Sequence, residues 1–373
     1  EFKQGDNLSV IEGAFLGALM IKGLSKEEEA LAEAFDTDIL HDPQEMVEYL
    51  ARDVDQVIKN YCYALLTSKK LSKADARAIG DYILSHKSNT AVCGLVASIL
   101  RVRYETQDEY EGLLDALEQT YVTNFSDTPL DGQPIVQIAD PFNGTNKTNL
   151  VTPLLAEYVQ SLGYRVVTLC GRSGGPKFGN NVQDLARGLG ANFLSKSQNL
   201  DDSKPTYGWY LDQASLSAAM DRWVDLRRET IKRPFMATLE RLINPLQADI
   251  LIASAFHPPY GEKVLDLAEY MNFKKVIIIR NGLEGTTSFA LKRPTKVLVS
   301  TKDNNGSYKR EEIEFDAENE LNITVPVEEK IVPIVMDKNI DLIKTYIKNG
   351  STGYDLFDWR IAAMKKCMGK ILA

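Results

Sequence analysis

The chain has 373 residues, 44% of them hydrophobic and 25% charged, and carries a formal charge of −9. Such a length and apolar share suffice for two cores, so two domains are expected. The acidic total excludes a wholly basic nucleic-acid binder, and any polyanion site must be focused in a local patch.

Up to about residue 125 apolar residues recur at helical spacing, and capping boxes at Ser25-x-x-Glu28 and Thr106-x-x-Glu109 mark helix starts. Ser72-x-x-Asp75 opens another helix in a similar way. Residues 1–127 therefore read as a helical domain. Ile11 to Phe35 and Ala91 to Leu117 each give an apolar helix, a turn, a capping box and an acidic amphipathic helix. Either an internal repeat or two hairpins built by the same capping rules accounts for that likeness.

After Asp127-Thr128-Pro129 the period changes. Short β-rich runs lie at Ile135 to Ala139, Tyr164 to Cys170, Asp249 to Ala255, Lys275 to Arg280 and Thr295 to Ser300, most of them separated by helical patterns. Runs such as Val276-Ile277-Ile278-Ile279, apolar on both faces, predict an α/β domain whose mostly parallel central sheet is buried between helices. That domain takes residues 128–205 and 248–373, while 206–247 reads as a helical insertion that packs toward the helical domain. Asn305-Gly306 predicts a hairpin turn with Glu311 to Phe315 as an antiparallel edge, and helices at Asn339 to Lys348 and Tyr354 to Leu372 close the chain.

Three loops after predicted strands carry the polar chemistry. The first, Asp140 to Asn149, precedes a helix near Pro153, and its backbone N–H groups with the helix dipole suit an anion, phosphate above all. Its candidate binders are Asn143, Gly144, Thr145, Lys147, Asn149 and Thr152. The second, Gly171 to Asn181, offers Gly171, Arg172, Ser173 and Lys177 ahead of a helix at Val182 to Leu189. Ligands of open α/β sheets bind at the carboxyl ends of strands, so neighbouring loops could share one ligand. Ordinary strand-to-helix turns also favour Gly, Asn and Asp, and neither loop matches the Walker A or dinucleotide pattern. In the third loop, Arg280 to Thr287, Glu284 could hold Mg²⁺ or a sugar hydroxyl, against the plainer reading of a solvated side chain. His257 sits after the third strand, within reach of the same crevice as a general base, although Pro258 and Pro259 equally suggest a turn in which it bonds backbone. Arg227 and Arg228 on the insertion suit either a bidentate clamp or surface salt bridges.

At these loops the chain resembles the anthranilate phosphoribosyltransferase family of glycosyltransferases, related in fold to the pyrimidine nucleoside phosphorylases. The likeness runs from about residue 60 to 300, with Ala18-Leu19-Met20-Ile21-Lys22-Gly23 matching a helix end and Lys-Gly turn. It implies a small helical domain, an α/β domain, a phosphorylated ribose bound in the interdomain cleft, and a homodimer joined through the helical domain. Where the family's diphosphate loop reads Gly-Thr-Gly-Gly-Asp and then Asn-x-Ser-Thr, this chain has Ala139-Asp140-Pro141-Phe142-Asn143 and then Asn149-Leu150-Val151-Thr152. The family's Lys-His-Gly-Asn-Arg becomes Leu169-Cys170-Gly171-Arg172, and its metal-holding Asp-Glu pair becomes Glu284-Gly285. Pro141-Phe142-Asn143-Gly144-Thr145-Asn146-Lys147, with Thr152-Pro153-Leu154-Leu155-Ala156, instead resembles a divergent paralogue branch. That branch lacks shown anthranilate activity, and some of its members bind single-stranded nucleic acid.

Two functions follow as expectations. One is a pentosyltransferase that holds a ribose phosphate or diphosphate, with Mg²⁺ as its cofactor, and acts by electrostatic stabilisation. The other is a non-catalytic protein for single-stranded nucleic acid or assembly, using Lys147, Arg172, Lys177, Arg227, Arg228, Lys232 and Arg233. Cys62, Cys93, Cys170 and Cys367 form no C-x-x-C pair, so free thiols in a reducing compartment are expected, the cytoplasm or the interior of an organelle such as a plastid. No stretch approaches the roughly 18 apolar residues that cross a bilayer, so no membrane partner is expected. Glu1-Phe2-Lys3-Gln4 does not resemble a signal peptide.

Overall fold

The computed structural model describes residues 8–122, 133–194, 200, 203–230, 233–326 and 333–372, with 258 and 259 as backbone alone. The period change at Asp127-Thr128-Pro129, the first four residues and Lys232 lie outside that description. The chain divides into two units, Glu1–Tyr121 with Ala218–Glu240, and Val122–Ser217 with Arg241–Ala373.

The first unit opens with α1 (Val10–Lys22), α2 (Pro43–Leu50), α3 (Gln56–Leu66), α4 (Lys73–Leu84), α5 (Thr90–Arg103) and α6 (Gln107–Glu118). Reciprocal bonds between Ser9 and Glu12 start α1, and the expected box of Thr106 and Glu109 starts α6. Each satisfies two N–H groups that a helix end leaves without partners. Glu109 also accepts from Leu71 N at 2.9 Å and pairs with Arg103, which explains how a carboxylate survives in that core. Gly13 lets α1 lie directly on α5, because a Cβ there would stand 1.8 Å from the carbonyl oxygen of Ala91. The predicted box at Ser25 and Glu28 forms too, but a 3-10 helix, Glu29–Ala34, follows it in place of an α-helix. None of its residues is buried, so no packing offsets the cost of propagating a longer helix.

The second unit is a sheet clad in helices. In chain order come β1 (Ile135–Ala139), α7 (Thr152–Ser161), β2 (Arg165–Cys170), α8 (Val182–Leu189), β3 (Asn192–Phe193), β4 (Trp209–Asp212) and α9 (Gln213–Leu216). Next, α10 (Ala218–Thr230) and α11 (Met236–Leu239) group with the first unit. The chain then adds β5 (Ile250–Ala255), α12 (Pro258–Tyr270), β6 (Lys275–Arg280), β7 (Thr295–Lys302), β8 (Tyr308–Phe315), α13 (Ala317–Leu321), α14 (Met336–Asn349) and α15 (Asp355–Leu372). Among the described residues the sheet order is β3-β4-β2-β1-β5-β6-β7-β8. Six strands run parallel, and β7 and β8 close the sheet antiparallel through the predicted hairpin. The fold is therefore the mostly parallel α/β class expected from the both-faced apolar runs. Strand β4 was unforeseen: it opens the stretch read as a helical insertion, and its 4 residues are too few to show a period.

Val136, Ile138, Ile250, Ile252, Ile277 and Ile279 point to one face, where α7, α8, α14 and α15 complete a single apolar cluster. Each such side chain contributes about 1.5–3 kcal/mol on burial. Alternating with them, Gln137, Leu251 and Ile278 face the other side, and Gln137 Nε2 donates there to the carbonyl of Ile243 at 2.8 Å. From β1 the chain moves to β2 on one side, and from β5 to β6 on the other. The winding thus reverses between β1 and β5, and the carboxyl ends beside that point are where open α/β sheets take ligands. Among the described residues the four cysteines are free and buried, and no helix is long and apolar enough to cross a membrane.

Candidate functional site

Three loops leave the carboxyl ends of β1, β2 and β6 and are bonded to one another. Residues 140–151 and 171–181 meet in an isolated antiparallel bridge, in which Thr145 N donates to Asn180 O at 2.8 Å and Asn180 N to Thr145 O at 2.9 Å. Gly179 N donates to Asn143 O at 3.0 Å beside it. Gly144 makes this approach feasible: its φ is +71°, and a Cβ would lie 2.3 Å from Asn180 O. Within the bridge Thr145 is buried and donates its hydroxyl to Thr148 O at 2.8 Å. Ser173 Oγ donates to Gly179 O at 3.1 Å, and the Asn181 amide donates to Gly171 O at 2.9 Å. Asn181 Oδ1 accepts from Asp184 N at 2.9 Å and so caps α8.

Asp140, the first residue after β1, pins the third loop. Its Oδ1 accepts from Thr287 N at 2.7 Å and its Oδ2 from Thr287 Oγ1 at 3.0 Å, while Thr152 Oγ1 donates to the same Oδ2. Burial pushes the carboxyl above the ordinary aspartate value, against the pull of Thr152, Thr287 and the Arg241 guanidinium. Thr152, a candidate phosphate binder, thus spends its hydroxyl on Asp140. Ser288 Oγ donates to Asn149 O at 2.8 Å, and the buried Oδ1 of Asn149 finds no hydrogen-bond partner among the described residues. Asp140, Asn180 and Thr287 were not singled out from the sequence. An Asp directly after an apolar strand and a Thr-Thr-Ser run after another are the signals that could have marked them.

Glu284 stands at the meeting point of all three loops. Its carboxylate accepts from Asn146 N at 3.2 Å, from Lys147 N at 2.7 Å and from the ammonium of Lys177 at 2.6 Å. Burial pushes this carboxyl up, but Lys177 and the two amides outweigh it and hold the group below the ordinary glutamate value. Lys147 is exposed and Arg172 half-buried on the same loops. A resident cation is a poor fit here. Among the described residues no three His, Cys, Asp or Glu side chains gather to hold a metal, and Glu284 is surrounded by donors instead of further carboxylates.

The remaining candidates lie elsewhere. Arg227, read as either a ligand clamp or a surface salt bridge, is held by a carboxylate of the chain. It is 1% exposed inside the first unit, where Nη1 donates to both oxygens of a buried Glu240 at 2.9 and 2.8 Å. Arg228 is an exposed neighbour of Asp225, 3.8 Å away. His257 is exposed at the N-cap of α12, with its ring edge-on to Phe256 at 5.0 Å between centroids.

No family model matches the chain. An uncharacterized protein of Aquifex aeolicus is 25% identical over 233 residues, which are 62% of this chain and 69% of that protein. The anthranilate phosphoribosyltransferase of Geobacillus stearothermophilus is 24% identical over 234 residues, 62% of this chain and 66% of that enzyme. Among solved structures, the anthranilate phosphoribosyltransferase of Thermus thermophilus superposes with a TM-score of 0.61 at 16% identity, over 83% of this chain and 86% of that one. The enzyme from Saccharomyces cerevisiae in complex with PRPP and Mg gives 0.63 at 16% identity, over the same 83% and 86%. The fold is that of the anthranilate phosphoribosyltransferases, and the sequence likeness to them is weak.

Proposed function

We propose that the second unit binds a phosphorylated ribose at the carboxyl ends of β1, β2 and β6, as a pentosyltransferase-like protein. One observation carries the proposal: the amides of Asn146 and Lys147 and the ammonium of Lys177 converge on a single anionic group, the carboxylate of Glu284. Donors that hold a carboxylate in this way are the donors that a phosphate needs. The likeness to enzymes that act on phosphoribosyl pyrophosphate supports ribose as the rest of the ligand.

In pentosyl transfer the protein's share is electrostatic. The loop amides and Lys177 would neutralise the diphosphate as its bond to the anomeric carbon breaks and a nitrogen nucleophile attacks that carbon. The Mg named with the yeast complex belongs to that structure, and because Glu284 does not fit as its ligand here, no step is routed through a metal. Ala139, Pro141 and Phe142 stand where the resembling diphosphate loop has glycines, which weakens the case for anthranilate phosphoribosyl transfer itself. The homodimer through the helical unit belongs to the same proposal. Titration calorimetry with phosphoribosyl pyrophosphate tests it: one site is expected, and no heat at millimolar ligand overturns it. Single-stranded nucleic acid is the weaker partner, because Arg227 is buried against Glu240 and the chain's total charge is −9.

A further inference from the structure

The cradle proposed for phosphate is already filled by the protein itself. Glu284 places one carboxylate against two main-chain N–H groups of the first loop and the ammonium of the second. The exposed pairs Lys22–Glu28 and Lys292–Glu318 add main-chain donors within one short segment, at Ser25 and Val325, whereas Glu284 takes donors from two other loops, as an oxyanion would. Its backbone lies at φ 51°, ψ 21°, a left-handed conformation that disfavours a residue with a Cβ. The bonds made by the carboxylate offset that strain, which is the pattern of a switchable contact. The rest of the loop is anchored independently: Thr287 is held by Asp140, and the carbonyl of Gly285 accepts from Ser254 Oγ at 2.6 Å. Between Gly282 and Gly285 the Glu284 side chain can therefore leave while the loop's base stays in place.

We infer that Glu284 is a resident counter-anion, an internal stand-in for a phosphoryl group, and that a phosphorylated ligand enters by displacing it from Asn146, Lys147 and Lys177. The inference rests on the phosphate assignment of these loops proposed above. Displacement is favourable because a phosphoryl group brings more charge and more acceptor oxygens than one carboxylate. The closed cradle lowers apparent affinity by the fraction of molecules in which Glu284 has already left. The same fraction applies to every anion that needs the open cradle, so only a ligand of high intrinsic affinity holds it open. Glu284 thus sets how tightly an anion must bind to hold the site open.

The test is calorimetry with inorganic pyrophosphate at one ionic strength on the wild type, Glu284→Gln and Glu284→Asp, with a melting curve for each. Gln keeps the shape and loses the charge; Asp keeps the charge and loses the reach to the amides. The expected result is tighter pyrophosphate binding in both, by about tenfold for Gln, with acetate affinity rising in parallel. Equal or weaker pyrophosphate binding in folded variants overturns the inference and makes Glu284 a staple that preorganises the loops. Binding by the wild type with no gain in the variants sinks the displacement while sparing the phosphate site. Absence of binding in all three overturns both.

Discussion

Asp140 is a carboxylate kept where water cannot reach it, and its whole hydrogen-bonding capacity is turned on the loop after β6 and on Thr152. Folding raises its proton affinity, because burial outweighs the donors around it. Between the ordinary aspartate value and the raised one, the folded chain therefore holds more protons than the unfolded chain. Stability from this group is fully present below that window and is lost as pH rises through it. Asp140→Asn abolishes the titration, so urea midpoints of the variant should gain on the wild type as pH rises across the window. A difference that does not change with pH would contradict the burial argument. Arg227 and Glu240 pose the complementary case, a charge pair deep in a helical unit. Arg227→Ala should cost about 3–5 kcal/mol in chemical denaturation, and Arg227→Met with Glu240→Leu clearly less, since the double change strands no charge. Equal losses in the two would contradict the pairing. Nothing local in the sequence marks Arg227 as inward and Arg228 as outward, because the partner that decides it, Glu240, lies past the end of α10.

Under the proposed function, the working unit among the elements is the set of loops after β1, β2 and β6. The loops are joined by the Thr145 and Asn180 bridge, which Gly144 and Gly179 together allow. Gly144→Ala adds a left-handed backbone penalty and a clash with Asn180 O, together about 2–4 kcal/mol. Thermal melting should fall by several degrees and pyrophosphate binding should weaken, whereas unchanged melting would mean that the loops are not coupled through this bridge. Loops 140–151 and 171–181 were legible as candidates because Gly, Asn and Lys cluster between an apolar strand and a helix. Their mutual bonds were not, since contacts across such separations leave no period to read. The same limit applies to Glu284: its residue type suggested a metal or a hydroxyl, and only its neighbours make it the partner of Lys177. Edge strand β8 was legible for a different reason, the Asn305-Gly306 turn signal and the alternation of Glu311 to Phe315 after it. Its Lys309, Arg310, Glu311, Glu312 and Glu314 mark a strand that blunts an open edge with charge, and Arg310 is tied back to Asp266 and Glu269 of α12.

At the scale of the molecule, the proposed phosphorylated ligand would have to be attracted by local donors alone, since the summed field of a chain of charge −9 repels anions. The loop amides meet that requirement because they act at hydrogen-bond range and carry no formal charge. Fold class was readable because alternating strands and helices with apolar runs on both faces admit little besides a buried parallel sheet. Strand order was not, as it depends on which neighbours pair across the sheet. For the assembly, Ile11 and Phe15 stand one turn apart and exposed on α1, in keeping with a dimer through the helical unit. Light scattering should then give twice the 41.7 kDa of one chain, and the single mass at micromolar concentration would contradict it.

The most direct test of the phosphate site is a crystal structure grown with phosphoribosyl pyrophosphate. Phosphate oxygens should lie within hydrogen-bond distance of Asn146 N, Lys147 N and Lys177 Nζ, with Glu284 turned away from all three. A ligand bound elsewhere, with Glu284 still seated on those donors, would contradict it.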